Sequence, residues 1–142
     1  MTALLDVNVL LALFDSDHVG HATAWEWLDA EIDDGWASCA ITENGFIRII
    51  SQPRYPHPIP PAQAIELLAE ATATEQHSFW ASDVTVTSRD HIDPSHLLRS
   101  PQITDSYLLS LAVEHDGRLV TFDQSIELDS VPRATAEHLM VL

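Results

Sequence analysis

The sequence predicts an α/β domain of three layers, α/β/α, around a central, mostly parallel twisted sheet. Three observations carry that prediction. Short apolar runs of strand length recur at Ala3–Leu5, Trp36–Ile41, Arg118–Phe122 and His138–Leu142. Segments with apolar residues at helical spacing separate them, and strands alternating with helices imply βαβ units with both sheet faces covered. The length of 142 residues suits one domain, spanning 1–142, that buries roughly two-thirds of its unfolded surface.

Each element has its own signal. Ala3–Leu5 reads as a buried strand, and the apolar run Val9–Phe14 begins a helix. His18–Ile32 carries Ala22, Trp25, Leu28 and Ile32 at spacings of three and four, a helical stripe. Asp33-Asp34-Gly35 ends it with turn chemistry. Trp36–Ile41 is the second strand. Thr42 reads as the N-cap of a helix with Glu43 in its first turn and Phe46, Ile47 and Ile50 beyond. Five prolines between Pro53 and Pro61 exclude helix and central strand there, leaving an ordered loop or a lid. Pro61 suits the first turn of the next helix, with Ile65, Leu68 and Ala69 on one face. Ser78–Val86 reads as extended, and 92–100 as loop with a short helical turn. Thr104-Asp105 opens a helix bearing Leu108, Leu109, Leu111, Ala112 and His115, closed by Asp116-Gly117. Arg118–Phe122 is a strand running straight into Asp123, and His138–Leu142 is the last.

The charge is one-sided: 22 Asp and Glu against six Arg and no Lys, for a net −16. Passive binding to a phosphate backbone works by Lys and Arg displacing counterions, so this chain is unsuited to it alone. Positive charge at a nucleic acid would have to come from metal ions or a basic partner chain. A single cysteine, Cys39, excludes an internal disulfide framework and a Cys-based zinc site. Met1–Asp6 has no basic segment of a secretory signal, and the longest apolar run, Val9–Phe14, is too short to cross ~30 Å of hydrocarbon. A cytoplasmic protein without a membrane partner is expected.

Four acids stand apart from the surface. Asp6 and Asp123 each follow a strand directly, while Glu43 and Asp105 sit at helix starts. In an open parallel sheet those ends share one edge, where ligands bind. Clustered carboxylates repel unless protons or cations are shared among them, and an oxygen-only set suits Mg²⁺ or Mn²⁺. Read singly, Asp105 and Glu43 are also ordinary helix-start acids, and Asp6 and Asp123 ordinary turn residues. Their common topological place is what favours a metal site.

Leu4-Leu5-Asp6-Val7-Asn8-Val9-Leu10 resembles the opening strand of PIN-domain nucleases. Thr104-Asp105-Ser106-Tyr107-Leu108-Leu109-Ser110-Leu111-Ala112 resembles their third acidic motif, and Glu114–Asp123 the run into their fourth. Glu43 falls where the family keeps its second acid. The resemblance covers nearly the whole chain and is closest to VapC-type toxins of bacterial toxin–antitoxin pairs. It implies a Mg²⁺-dependent endoribonuclease, with Mn²⁺ able to substitute, in which Asp6, Glu43, Asp105 and Asp123 hold the metal and do the catalysis. It implies cleavage of RNA to 5′-phosphate and 3′-hydroxyl ends, with Asn8 and Thr121 orienting carboxylates or waters. It also implies a homodimer and a VapB-type antitoxin whose basic tail enters the acidic site. One departure is Ser125, where many relatives carry a further acid. Arg54, Arg89 and Arg99 are the candidates for RNA contact.

Other features carry less. His18 and His21 lie three apart without a completing ligand, so no zinc site is expected. Trp25, Trp27, Trp36 and Trp80 are large enough to stack on bases; Trp25 fits the helical core stripe, and Trp27 lies off it, with a dimer or partner contact the lesser of its readings. A haloacid-dehalogenase-like phosphatase would need an Asp at the place of Asn8 and a Lys; the chain has neither. The alternative to the nuclease is a non-catalytic PIN-like module that binds RNA or protein.

Overall fold

The computed structural model describes residues 1–142. Five strands form one sheet: β1 (Ala3–Leu5), β2 (Trp36–Cys39), β3 (His77–Trp80), β4 (Arg118–Thr121) and β5 (Leu139–Val141). Their order is β3-β2-β1-β4-β5, and every neighbouring pair is parallel. The chain builds outward from β1 to β3, then returns to lay β4 on the other flank of β1. The strand order therefore reverses between β1 and β4, the place where open α/β sheets hold their ligands.

Side-chain alternation splits the interior into two cores. Ala3, Leu5, Trp36 and Val120 face α1 (Val7–Phe14), α2 (His21–Glu31), α3 (Ala40–Ile50) and α4 (Pro61–Thr72). Leu4, Ala37, Cys39, Trp80 and Leu119 face α5 (Gln102–Glu114) together with Val84, Ile92 and Val131 from the loops. This is the expected α/β/α arrangement, with four helices on one face and one on the other. That imbalance explains the composition of α5, which is buried continuously from Leu108 to Val113.

Several boundaries and faces differ from the sequence reading. The second strand ends at Cys39, two residues early, because Ala40 and Ile41 already belong to α3. Cys39, not Thr42, is the N-cap; Thr42 is the third helical residue, and its hydroxyl accepts from the Cys39 N–H at 3.0 Å. On α2 the inward residue is Ala24, while Trp25 is 43% exposed and Ala22 is exposed. Trp25 stays at the rim because its indole N–H donates to the Leu13 carbonyl (2.9 Å), one of the four acceptors left free at the end of α1. Trp27 packs against the core rather than outward. On α4 the inward pair is Ala64 and Leu68, with Ile65 half exposed, since small alanines admit the bulk of Phe46 and Ile50 from α3. Beyond Trp80 the predicted extended segment is irregular.

The proline-rich segment is an ordered loop. Tyr55 reaches 40 residues back to donate to Asp15 Oδ2 at 2.6 Å, and the Ile59 N–H donates to the Ile50 carbonyl. At the predicted Asp116-Gly117 closure, the left-handed residue is Asp116 (φ +52°). Gly117 serves a different need: a Cβ there would lie 2.5 Å from the Trp80 ring and 2.6 Å from the Thr2 carbonyl.

Candidate active site

Leu5 of β1 pairs with Val120 of β4, so the next residues, Asp6 and Thr121, emerge side by side. Asp6 caps α1: its Oδ1 accepts from the Val7 N–H at 2.7 Å. Its Oδ2 accepts from the Thr121 hydroxyl at 2.7 Å and from Asn8 Nδ2 at 3.2 Å. Thr121 is fully buried and its hydroxyl is fully used. The single proton goes to Asp6, and the two lone pairs accept from Asn8 Nδ2 (3.0 Å) and the Asp123 N–H (3.0 Å). Asn8 Oδ1 in turn accepts from the Phe122 N–H at 3.1 Å. One network thus fixes Asp6 and the start of the segment that carries Asp123.

Asp123 is held separately. Its Oδ1 accepts from both the backbone N–H and the hydroxyl of Ser125, at 2.7 and 2.6 Å. Those bonds hold its carboxyl below the ordinary range, with Arg99 adding to the effect. Asp105 is in the first turn of α5. Burial first, then the charges on Asp6 and Asp123, push its carboxyl up to about 6 against an opposing pull from Arg99. Burial also raises Asp6, partly offset by the bonds from Thr121 and Val7, and the Asp123 charge adds to the rise. Three of the four predicted acids therefore share one electrostatic site, although they lie up to 117 positions apart in the chain.

Glu43 is placed differently. It belongs to α3, after β2, on the opposite flank of β1 from β4. Its Oε1 accepts from the Ser38 hydroxyl at 2.6 Å, and Ser38 Oγ lies 2.8 Å from His77 Nε2. Burial pushes His77 below its ordinary value, outweighing Glu43 and a backbone contact with Thr72, which both act to raise it. Gly45 brings α3 close to this site: a Cβ there would stand 2.7 Å from Cγ2 of Val7, the residue next to Asp6.

The donor set is all oxygen, and only Arg99 offsets the charge on Asp105 and Asp123, so the chemistry fits a hard divalent cation. No three His, Cys, Asp or Glu side chains close around one point as a ligand set. The carboxylates of Asp6, Asp123 and Glu43 are turned to their own hydrogen-bond partners, and a cation would be held by one or two of the acids at a time with water completing its shell, the usual manner for Mg²⁺.

The family model for the PIN domain matches residues 3–133. The chain belongs to the PIN domain family. Over its full length it is 61% identical to Ribonuclease VapC44 of Mycobacterium tuberculosis (strain ATCC 25618 / H37Rv), covering all of both chains. It is 42% identical over 127 residues to Ribonuclease VapC39 of the same strain, covering 89% of this chain and 91% of that one. This PIN domain is therefore of the VapC type. Its fold is similar to that in a crystal structure of VapBC2 from Rickettsia felis bound to a DNA fragment from their promoter. There the TM-score is 0.68 at 12% identity, with 99% of this chain and 98% of that chain covered.

Within this PIN domain the three candidate arginines separate. Arg99 acts on Asp105 and Asp123. Arg89 lies beside Asp93 and Pro132, and Arg54 donates to Gln52 within the proline-rich loop at 3.3 Å. Arg118 and Arg133 are paired with Glu31 and Glu114. Among the tryptophans, Trp36 and Trp80 are buried, with Trp80 stacked on His115 at 4.5 Å, which leaves only Trp25 open enough to meet a base. His18 and His21 turn to separate partners, the Gly20 N–H and the Ala12 carbonyl. An apolar groove of about 340 Å³ runs along Leu13, Phe14, Trp25, Leu28, Ile32 and Ala71, and none of the four acids lines it. Sequence reasoning missed what Ser38, His77 and Ser125 do. An Asp-x-Ser spacing does signal the local turn at Asp123, whereas nothing in the sequence connects Ser38 with a histidine 39 residues later.

Proposed function

We propose that this PIN-domain chain is the toxin of a toxin–antitoxin pair and acts as a metal-dependent endoribonuclease on RNA phosphodiester bonds. The observation that carries this reading is that Asp6, at the β1/β4 reversal, and Asp123 both act by their charge on Asp105, whose carboxyl burial and those charges push up to about 6. The ribonuclease names of its relatives support it. Mg²⁺ is the cation, with Mn²⁺ a substitute of the same oxygen preference. Asp6, Asp105 and Asp123, with Glu43 as the fourth carboxylate, are the residues that would hold it, one or two at a time beside water. Bound there, the cation supplies a polarised phosphoryl oxygen and a water of lowered pKa for in-line attack.

The chain's own residues do the rest. Thr121 and Asn8 hold Asp6 in one orientation by donating to it, and their bonds oppose the rise that burial imposes on its carboxyl. Ser125 does the same for Asp123. Asp105, pushed up by burial and by the charges on Asp6 and Asp123, is the acid whose ionised form a cation would most relieve. Arg99 faces the RNA phosphate, and its guanidinium offsets charge that would otherwise repel the substrate. The reading extends to a VapB-type antitoxin with a basic tail that neutralises the acidic site, and to a homodimer.

The test is cleavage of RNA by the purified chain in Mg²⁺ or Mn²⁺, run beside EDTA and beside Asp6→Asn. Expected is cleavage that requires both the metal and Asp6, leaving 5′-phosphate ends. Cleavage that survives either EDTA or Asp6→Asn overturns the reading. A wild type that neither cleaves RNA nor shifts its melting temperature with Mn²⁺ points instead to a binding module.

A further inference from the structure

Glu43 and Asp6 stand on opposite flanks of β1, and each is held by a hydroxyl from the strand beside it. For Asp6 the relay runs from Asn8 Nδ2 to Thr121 Oγ1 to the carboxylate, at 3.0 and 2.7 Å. For Glu43 it runs from His77 Nε2 to Ser38 Oγ to the carboxylate, at 2.8 and 2.6 Å. Ser38 is fully buried, and a buried hydroxyl is costly unless its bonds are made.

The proton count gives the relay its direction. An ionised carboxylate only accepts, so the one Ser38 proton goes to Glu43. Ser38 Oγ thus stands between the Glu43 carboxylate at 2.6 Å and the His77 ring nitrogen at 2.8 Å. The ring has neighbours on two further sides. Parallel register sets His77 beside Trp36, and the two rings lie with centroids 4.4 Å apart. The backbone of Thr72, at the end of α4, meets the ring as well.

We propose that His77 and Ser38 are positioning residues for Glu43. They occupy Glu43 Oε1 and leave Oε2 for a cation, so the packing of β3 and α4 is transmitted to the metal site. This inference rests on the nuclease reading. Partners of this kind typically change metal affinity 10- to 100-fold when removed.

The experiment uses the full chain as wild type, Ser38→Ala, His77→Leu and His77→Gln, the last keeping an N–H donor toward Ser38. Mn²⁺ affinity is read from the melting shift of the metal-free protein, and kcat and KM from RNA cleavage. Expected for Ser38→Ala and His77→Leu is about tenfold weaker Mn²⁺ binding or more, with lower kcat and nearly unchanged KM. His77→Gln recovers most of the affinity. A merely structural role lowers the melting temperature of metal-free protein without moving Mn²⁺ affinity. Wild-type affinity in both Ser38→Ala and His77→Leu overturns the inference alone, as does a His77→Gln variant as weak as His77→Leu. Absence of any Mn²⁺ shift in the wild type overturns the nuclease reading, and the inference with it.

Discussion

Replacing Asp105 with Asn tests the electrostatics of the site without reference to RNA. The Asp105 carboxyl is near 3.8 ordinarily and about 6 in the folded chain. Between those values the folded state keeps a proton that the unfolded state has lost, so stability falls as pH rises through that window. Above pH 6 the ionised group is a fixed cost. Two units correspond to about 3 kcal/mol at roughly 1.4 kcal/mol per unit. The side chain is partly open to solvent, which screens it, and about 1 kcal/mol is the realistic expectation. Urea unfolding in EDTA at pH 4, 6 and 8 measures it. Asp105→Asn should exceed the wild type by about 1 kcal/mol at pH 8, and the difference should vanish at pH 4. Saturating Mn²⁺ should reverse the order, because a ligand at a hundred times its Kd stabilises by about 2.7 kcal/mol and the variant has lost part of the site. An Asn variant less stable than wild type at pH 8 in EDTA would refute the reasoning. So would a gain that persists at pH 4.

Two further predictions concern what brings the site together. Helix propensity alone makes Gly45→Ala stabilising by about 1 kcal/mol. The new Cβ would meet Cγ2 of Val7, a stiff β-branched side chain, so net destabilisation of roughly 1–2 kcal/mol is expected in urea melts, with a larger loss in cleavage as Glu43 and Asp6 separate. A stabilised, fully active Gly45→Ala contradicts this. Tyr55→Phe removes the tether to Asp15, a carboxyl held low by that hydroxyl, by Asp17 N–H and by nearby histidines. Because Asp15 is only partly buried, the cost at pH 7 is roughly 0.5–1 kcal/mol, with faster proteolysis between Ser51 and Pro60. A depressed carboxyl contributes above its unfolded value, so the difference between Tyr55→Phe and wild type should shrink below pH 4.

The sequence by itself determined the order of the elements and most of their extent. Ala3-Leu4-Leu5 and Leu119-Val120 are apolar on both faces, as strands covered by helices must be, and each runs into an acid just past the end of the strand. That local pattern places Asp6 and Asp123 at strand ends, and the helix starts place Glu43 and Asp105, without any knowledge of distance. Only the tertiary structure decided which acids meet. Laying β4 beside β1 brings Thr121 onto Asp6 across 115 residues and gathers Asp105 and Asp123 with it, while Glu43 is left to Ser38 and His77. It also decided that α2 turns Ala24 inward and leaves Trp25 at the rim, and that α4 turns Ala64 inward and leaves Ile65 out. The reason is physical. Periodicity records which residues avoid water. Strand neighbours, helix rotation and the pKa of a carboxyl depend on which partner each residue meets, and those partners lie far away in the chain.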